Sequence, residues 1–480
     1  MERVLVATWG NPFQWEEVRY SVDCSQLGAK DCENVDGERG NVSTLPVLLK
    51  ALKPRKTIIL VLDTLVNLTL KNDVKPNELN SYEDVVGDIE ERVRWFIENR
   101  VKPLMEEKDR GLLDSVKIVV LPGVGEFNNV SVEGDVLDFY SSVLRVLAEE
   151  LPTGDTEVFL DLTHGINFMP VLTYRALKNL LGLLAYVRKT KLYVVNSEPF
   201  PQGDREWKEK ILKNLVLHIR PVETVEIMPK PLYSTVSDKP EWSAFISSVT
   251  NGFPLAFATF YPDVNKVKKY VDNAFSKFLE EIDIEVKNDK AKVKKAHIKR
   301  KTALSEDFRT AVKLYYMLRV FKGVLDGEYP KKSVTLDDLF RITRTLFVNM
   351  PRIGIVVEDQ LCNLKRLQEK VNFELKKRGR SMIRKEVRRK LENGGISLAE
   401  LYDGVKFRYS SGGRSHNPKL KVRNFIAHSG FEFNLTRVKV EDVIRGSNVE
   451  KVFVFSYSDP EAVMRLSIEA LSYRDEEVTC

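Results

Sequence analysis

Residues 157–167 read Glu157-Val158-Phe159-Leu160-Asp161-Leu162-Thr163-His164-Gly165-Ile166-Asn167. An apolar run breaks off into small polar letters, and a helix-like stretch follows from residue 167. A near-continuous apolar strand is what burial on both faces requires, as in a parallel sheet covered by helices. Four more runs of this kind occur: RVLVAT (3–8), TIILVLD (57–63), VKIVVLP (116–122) and KLYVVNS (191–197). Helix-period segments separate them at 44–53, 82–108, 133–150 and 167–188. Strand alternating with helix predicts a doubly wound α/β domain, Rossmann-like and mostly parallel, over residues 1–225.

Ligands of such sheets sit at the carboxyl ends of the strands. The first strand runs into Thr8, Trp9, Gly10, Asn11 and Pro12, and the fourth into Thr163, His164, Gly165 and Asn167. Both turns are small, polar and glycine-bearing, and the second opens a helix whose free amides suit an anion. Thr163 and Asn167 can add side-chain bonds, and His164 can meet a phosphate or stack on a base. The plain alternative is two ordinary turns with glycine for backbone geometry. A dinucleotide cofactor is not indicated: GxGxxG is missing after the first strand and GxxxxGK[ST] is missing throughout. Gly123-Val124-Gly125 reads as a turn.

The chain has 480 residues, too many for one ordinary core, and a net charge of +6. That charge permits nucleic-acid binding without arguing for it. No segment reaches the roughly 18–20 apolar residues of a membrane span. The opening MERVLVATWGN enters a strand directly, so no membrane partner and a cytoplasmic location are expected. Cys24, Cys32, Cys362 and Cys480 form no CxxC pair, and free thiols are expected, with a Cys24–Cys32 bridge as the alternative. The 5 histidines show no metal-ligand spacing, so no metal is expected.

Beyond residue 225 the alternation stops. Prolines between 221 and 240 mark a boundary, and three- and four-residue apolar spacing then dominates. An all-α half is expected, with a helical connector at 226–340 and a compact unit at 341–480. Two basic clusters, 287–301 and 376–390, read as solvated faces or as a phosphate track for nucleic acid.

Within the last unit lies Arg423-Asn424-Phe425-Ile426-Ala427-His428. The apolar residues anchor a helix, and Ser429-Gly430 end it. Imidazole moves protons near neutral pH, and guanidinium grips phosphate through paired hydrogen bonds. These groups suffice for metal-independent RNA cleavage. A base deprotonates a ribose 2′-OH, the oxygen attacks the adjacent phosphorus, and an acid protonates the leaving 5′-oxygen. Arg423 would balance charge on the pentacoordinate phosphate, and Asn424 would orient His428 or the phosphate. One histidine is half of an acid–base pair, and a two-fold homodimer would supply the other. The plain alternative is a structural histidine and an arginine paired with an acid.

These motifs, in this order, resemble the CRISPR-associated accessory ribonucleases of type III systems, which join an N-terminal CARF domain to a C-terminal HEPN domain. RNFIAH is similar to the HEPN signature, and DLTHGIN and ATWGNP are similar to the CARF ligand loops. The resemblance implies a homodimer that binds cyclic oligoadenylate and then cleaves single-stranded RNA. It makes Arg423, Asn424 and His428 catalytic. It makes Thr8, Trp9, Gly10, Asn11, Pro12, Thr163, His164, Gly165 and Asn167 the ligand loops. Two other readings stay open: a non-catalytic CARF-type sensor that binds nucleic acid as a regulator, and a nucleotide-dependent oxidoreductase or transferase.

Overall fold

The computed structural model of the chain describes residues 1–480 apart from 67–77, 128, 202–210, 213, 289–293, 378–382, 406–417, 446–447 and 474–480. It divides into two compact units: residues 1–228 with 270–316, and residues 229–269 with 317–480. The stretch 226–340 contributes to both.

In the first unit the predicted strands form as β1 (Glu2–Thr8), β4 (Lys56–Leu62), β5 (Val116–Leu121), β8 (Thr156–Asp161) and β9 (Thr190–Ser197). All four neighbour pairings among them are parallel. The sheet is extended beyond β9 by β10 (Val216–Glu226), β2 (Val18–Val22) and β3 (Gly40–Asn41), giving the order β3-β2-β10-β9-β8-β1-β4-β5. Helices α2 (Leu45–Leu52), α3 (Tyr82–Phe96), α4 (Val136–Glu150) and α5 (Met169–Leu184) fall on the expected segments; α1 is the short turn Cys24–Leu27. Alternate strand residues Leu5, Ala7, Ile59, Val61 and Phe159 share one core cluster with α2 and α3. The intervening Val4, Val6, Ile58, Leu60, Val158 and Leu160 are equally buried on the other face. Burial of both faces is why these strands carry no polar alternation.

The chain places β4 and β5 to one side of β1, then β8 and β9 to the other. The order therefore reverses between β1 and β8. This switch point is where an open α/β sheet leaves a crevice.

Two features depart from the sequence expectation. Cys24 and Cys32 are joined in a disulfide rather than left as free thiols. The turn of α1, capped by the Asp23 side chain, brings them together. The basic cluster 287–301 forms, among its described residues, neither a helix nor an unpaired track. It lies on a hairpin, β11 (Ile282–Asn288) with β12 (Lys294–Arg300), that joins β6 (Gly125–Glu126) and β7 (Val130–Glu133) in a second sheet. Lys295 pairs with Glu126, Lys299 with Glu133, and Lys301 with Asp283. Arg300 points inward and is fully buried, bridging Asp63 and Asp138 at 3.3 Å each and donating to the Gly123 carbonyl. Tyr82 and the Gly123 amide also donate to Asp63. Burial pushes the Asp63 carboxyl up to about 6, with Arg300 opposing.

The second unit is helical, as expected. It contains α6 (Pro240–Asn251), α7 (Pro254–Phe260), α10 (Leu336–Leu346), α11 (Pro351–Lys376), α12 (Lys385–Asn393), α13 (Leu398–Gly404), α14 (Pro418–Ala427) and α15 (Pro460–Ser472). The helices between these groups are α8 (Val264–Glu280) and α9 (Glu306–Lys322). A four-stranded sheet, β13 (Val334–Thr335), β16 (Asn448–Tyr457), β15 (Thr436–Arg445) and β14 (Ile396–Ser397), is an addition the sequence reading did not anticipate. Helix α11 buries Val357, Leu361, Leu364, Leu367, Val371 and Leu375, one face at helical spacing. Its Gln368 and Asn372 bond the β16 backbone at 2.7 Å, fixing the helix along that strand.

Candidate functional site

Two polar constellations stand where the sequence places them, one in each unit.

In the first unit, the loops after β1 and β8 meet at the switch point. The Gly10 amide donates to the His164 carbonyl at 2.8 Å. A Cβ on Gly10 would come within 2.7 Å of Ile166, and one on Gly165 within 2.4 Å of the Thr8 hydroxyl. Both glycines are therefore required by close approach. Asp161 organises the rest. Its carboxylate accepts from the Thr44 hydroxyl (2.5 Å), the Thr163 amide (2.9 Å) and the Thr163 hydroxyl (2.6 Å). The Thr163 oxygen in turn accepts from the Ser197 amide at the end of β9.

His164 stacks on Trp15 with ring centroids 3.9 Å apart, and the edge of Tyr20 closes a second side. Its Nε2 accepts from the Thr44 amide at 3.4 Å. Burial pushes the imidazole down to about 4, against the pull of Asp161. His164 is thus an uncharged ring at neutral pH, offering polarity and a π face rather than a cation. Thr8 and Trp9 are fully buried and give the loop its shape. Asn11 accepts from the Phe13 amide and caps the turn that holds buried Pro12. Asn167 is exposed with φ +51° at the head of α5, whose N-cap residue Phe168 supplies no side-chain bond to the first amides. The Met169 amide instead donates to the Ile166 carbonyl at 3.1 Å, and Pro170 has no N–H, so the start of α5 is no ready-made anion site.

In the second unit, α14 ends at Ala427 and His428 follows it directly. The Gly430 amide donates to the Phe425 carbonyl (2.8 Å) and the Ser429 amide to that of Ile426 (3.0 Å). Ser429 stands at φ +50°. This is a Schellman termination with a left-handed serine, and it fixes His428 at the C-cap position. Phe425 is fully buried and packs edge-on against Phe253 at 4.7 Å. Gly430 closes on the same Phe253: a Cβ there would approach it to 2.9 Å. The apolar residues between Arg423 and His428 are what hold the motif to the core.

The half-buried His428 ring meets Phe433 edge-on at 4.9 Å, and its Nδ1 lies 3.4 Å from Gln360 Oε1 on α11. Gln360, Leu364, Leu398, Tyr402, Phe431 and Phe433 line the small cavity around it. Burial moves the imidazole below its ordinary range, with Glu432 opposing. Arg423 and Asn424 are exposed on the outer face of α14. Among the described residues no acid pairs with Arg423, so the reading of a structural ion pair finds no support there. His416 and most of the loop 410–418 lie outside the described residues.

Sequence reasoning missed Thr44, Trp15, Tyr20 and Ser197 around His164, and Gln360, Tyr402 and Phe433 around His428. Thr44 had a signal, since it precedes Leu45-Pro46 at a helix start. Gln360 had none: it lies 68 residues from His428.

Residues 4–199 match the family described as CRISPR system endoribonuclease Csx1, CARF domain, and residues 365–445 match the Csx1 HEPN domain. The chain belongs to the CARF–HEPN family of CRISPR-associated ribonucleases. The first match contains both switch-point loops, and the second contains Arg423–His428 together with all of α13. CRISPR system endoribonuclease Csx1 of Methanocaldococcus jannaschii is 28% identical over an alignment covering 94% of this chain and 89% of that protein. Among solved structures, Enterococcus italicus Csm6 bound to cyclic hexa-2′-fluoro-hexa-dAMP is 12% identical, with a TM-score of 0.22. That alignment covers 58% of this chain and about half (54%) of the Csm6 chain. A score that low leaves no overall superposition to argue from.

Proposed function

We propose that this protein is a metal-independent endoribonuclease that cleaves single-stranded RNA when a cyclic oligoadenylate binds its N-terminal sheet, acting in type III CRISPR antiviral defence. The observation that carries the reading is the pairing, in one chain, of a switch-point crevice with an exposed Arg423, unpaired with any acid among the described residues, five positions before a half-buried histidine. An unpaired guanidinium is suited to a polyanion. The switch-point loops offer Thr163, exposed Asn167 and the neutral His164 ring, a mixture of polar groups and a π face that suits a nucleotide.

In this reading His428 removes the proton from a ribose 2′-OH. The 2′-oxygen attacks phosphorus, the P–O5′ bond breaks, and the products are a 2′,3′-cyclic phosphate and a 5′-OH. Arg423 balances the added charge on the phosphorane, and Asn424 orients the phosphate. A second copy supplies the acid that protonates the 5′-oxygen, making the homodimer the active form.

The test is cleavage of labelled single-stranded RNA in EDTA, with and without cyclic tetra- and hexa-adenylate, alongside His428→Ala. Ligand-stimulated cleavage that the substitution abolishes is the expected result. Cleavage indifferent to ligand would remove the sensor role from residues 161–167. Binding of nucleic acid without cleavage would favour a regulator.

A further inference from the structure

The half-buried His428 has one hydrogen-bond partner for its ring among the described residues, and that partner comes from a different element. Gln360 sits on α11 beside Leu361 and Leu364, which are buried. The long helix is tied to β16 through Gln368 and Asn372. The amide is therefore presented from a fixed frame rather than from a loop. Its carbonyl oxygen is 3.4 Å from Nδ1, and an amide oxygen only accepts. With the amide in this orientation the proton is on Nδ1, which leaves the Nε2 lone pair as the ring's open acceptor. Leu364, Leu398, Phe431 and Phe433 keep the ring from turning over. The charged or titratable groups beside it are Tyr402, which lines the same cavity, and Glu432. The Glu432 carboxylate is already committed to the amides of Asn434 and Leu435 at 2.7 Å.

We infer that Gln360 is a positioning residue for RNA cleavage: it holds His428 in the Nδ1–H tautomer and so aims Nε2 at the 2′-OH. This rests on the function proposed above. A neutral amide orients the ring in both protonation states, because Nδ1 carries hydrogen in each. A carboxylate in its place would also stabilise the imidazolium. The identity of the residue thus sets a base that accepts the 2′-OH proton and releases it again after each turnover.

The test uses the full-length protein with Gln360→Met, which keeps volume and removes the acceptor, and Gln360→Glu, which restores it with charge. Two readouts are taken: the pH profile of single-stranded RNA cleavage with cyclic oligoadenylate, and the ¹⁵N resonances of the His428 ring, assigned against His428→Ala. Gln360→Met is expected to lower kcat by roughly 10- to 100-fold with KM within about twofold, and to mix the two ring tautomers. Gln360→Glu is expected to keep activity near the wild type and to move the acidic limb up by about one pH unit. An unchanged profile and a single unchanged tautomer in Gln360→Met would overturn the inference. Wild-type protein that never cleaves RNA would defeat the function instead. The ring resonances would still decide the Gln360 contact in that case, and circular dichroism separates either result from misfolding.

Discussion

His164 and His428 are alike in being half-buried and driven toward the neutral form, and unlike in almost everything around them. His164 lies in a network that is already closed. Asp161, Thr44, Thr163, Ser197 and Gly10 satisfy one another, and Trp15 covers the ring. His428 has one long bond to Gln360, and its motif partners Arg423 and Asn424 face outward. On the proposed function, the contrast separates a pre-assembled ligand crevice from a reaction centre that a second copy would complete. Changes in the first should register as stability; changes in the second should register as rate.

The strongest way to break that contrast is at the reaction centre. His428→Ala or Arg423→Ala is expected to lower RNA cleavage by roughly 10²- to 10⁴-fold while the melting temperature stays essentially unchanged. A large loss of stability in Arg423→Ala would show that the exposed guanidinium has a structural partner after all. The opposite behaviour is expected of Arg300→Met, which leaves Asp63 and Asp138 buried without their cation. It should cost the first unit about 3–5 kcal/mol in a denaturant titration. A near-neutral result would mean that the two carboxyls share a proton and need no guanidinium.

Acid sharpens the comparison further. Folding holds the His164 imidazole at about 4, below its unfolded value of about 6.5. Between those values the unfolded chain binds the extra proton, so stability from this group is full above about pH 6.5 and is lost toward pH 4. The loss is about 3 kcal/mol at most. Asp63, raised to about 6, works in the other direction: its contribution is greatest at low pH and falls as pH rises. The measurement is therefore the difference between wild type and His164→Phe, in which the Asp63 contribution cancels. A pH-independent difference would place a charged His164 in the folded state. The smallest expected effect is that of Gly165→Ala, roughly 1–3 kcal/mol, because Thr8 and Pro170 must give way to the new methyl group.

The five parallel strands, the helices between them and the switch-point loops were legible because double-sided burial writes an unbroken apolar run. The hairpin at 282–300 was not. In β12, Ala296, Ile298 and Arg300 face inward at period two, but His297 and Lys299 between them and an arginine among the buried positions disguise it as a solvated basic tract. Strand β15 hides its alternating Val438 and Val440 among charges in the same way. For the sites, local sequence showed the residues that follow a strand or end a helix. It was blind to Gln360, which reaches in across the fold from 68 residues away. The Cys24–Cys32 bridge was misjudged because composition speaks for the whole chain, whereas a nine-residue turn answers only to its own geometry.

The inward arginine has a consequence for how the protein is made. Arg300 lies 237 residues after Asp63 and 162 after Asp138. At about 5–20 residues per second, the ribosome delivers the cation roughly 8–30 s after the second of these acids. Until then the nascent sheet must keep both carboxyls hydrated or protonated. Its ligand edge can close only once the strand pair at 282–300 has been synthesised, long after residue 199, where the family match to this unit ends.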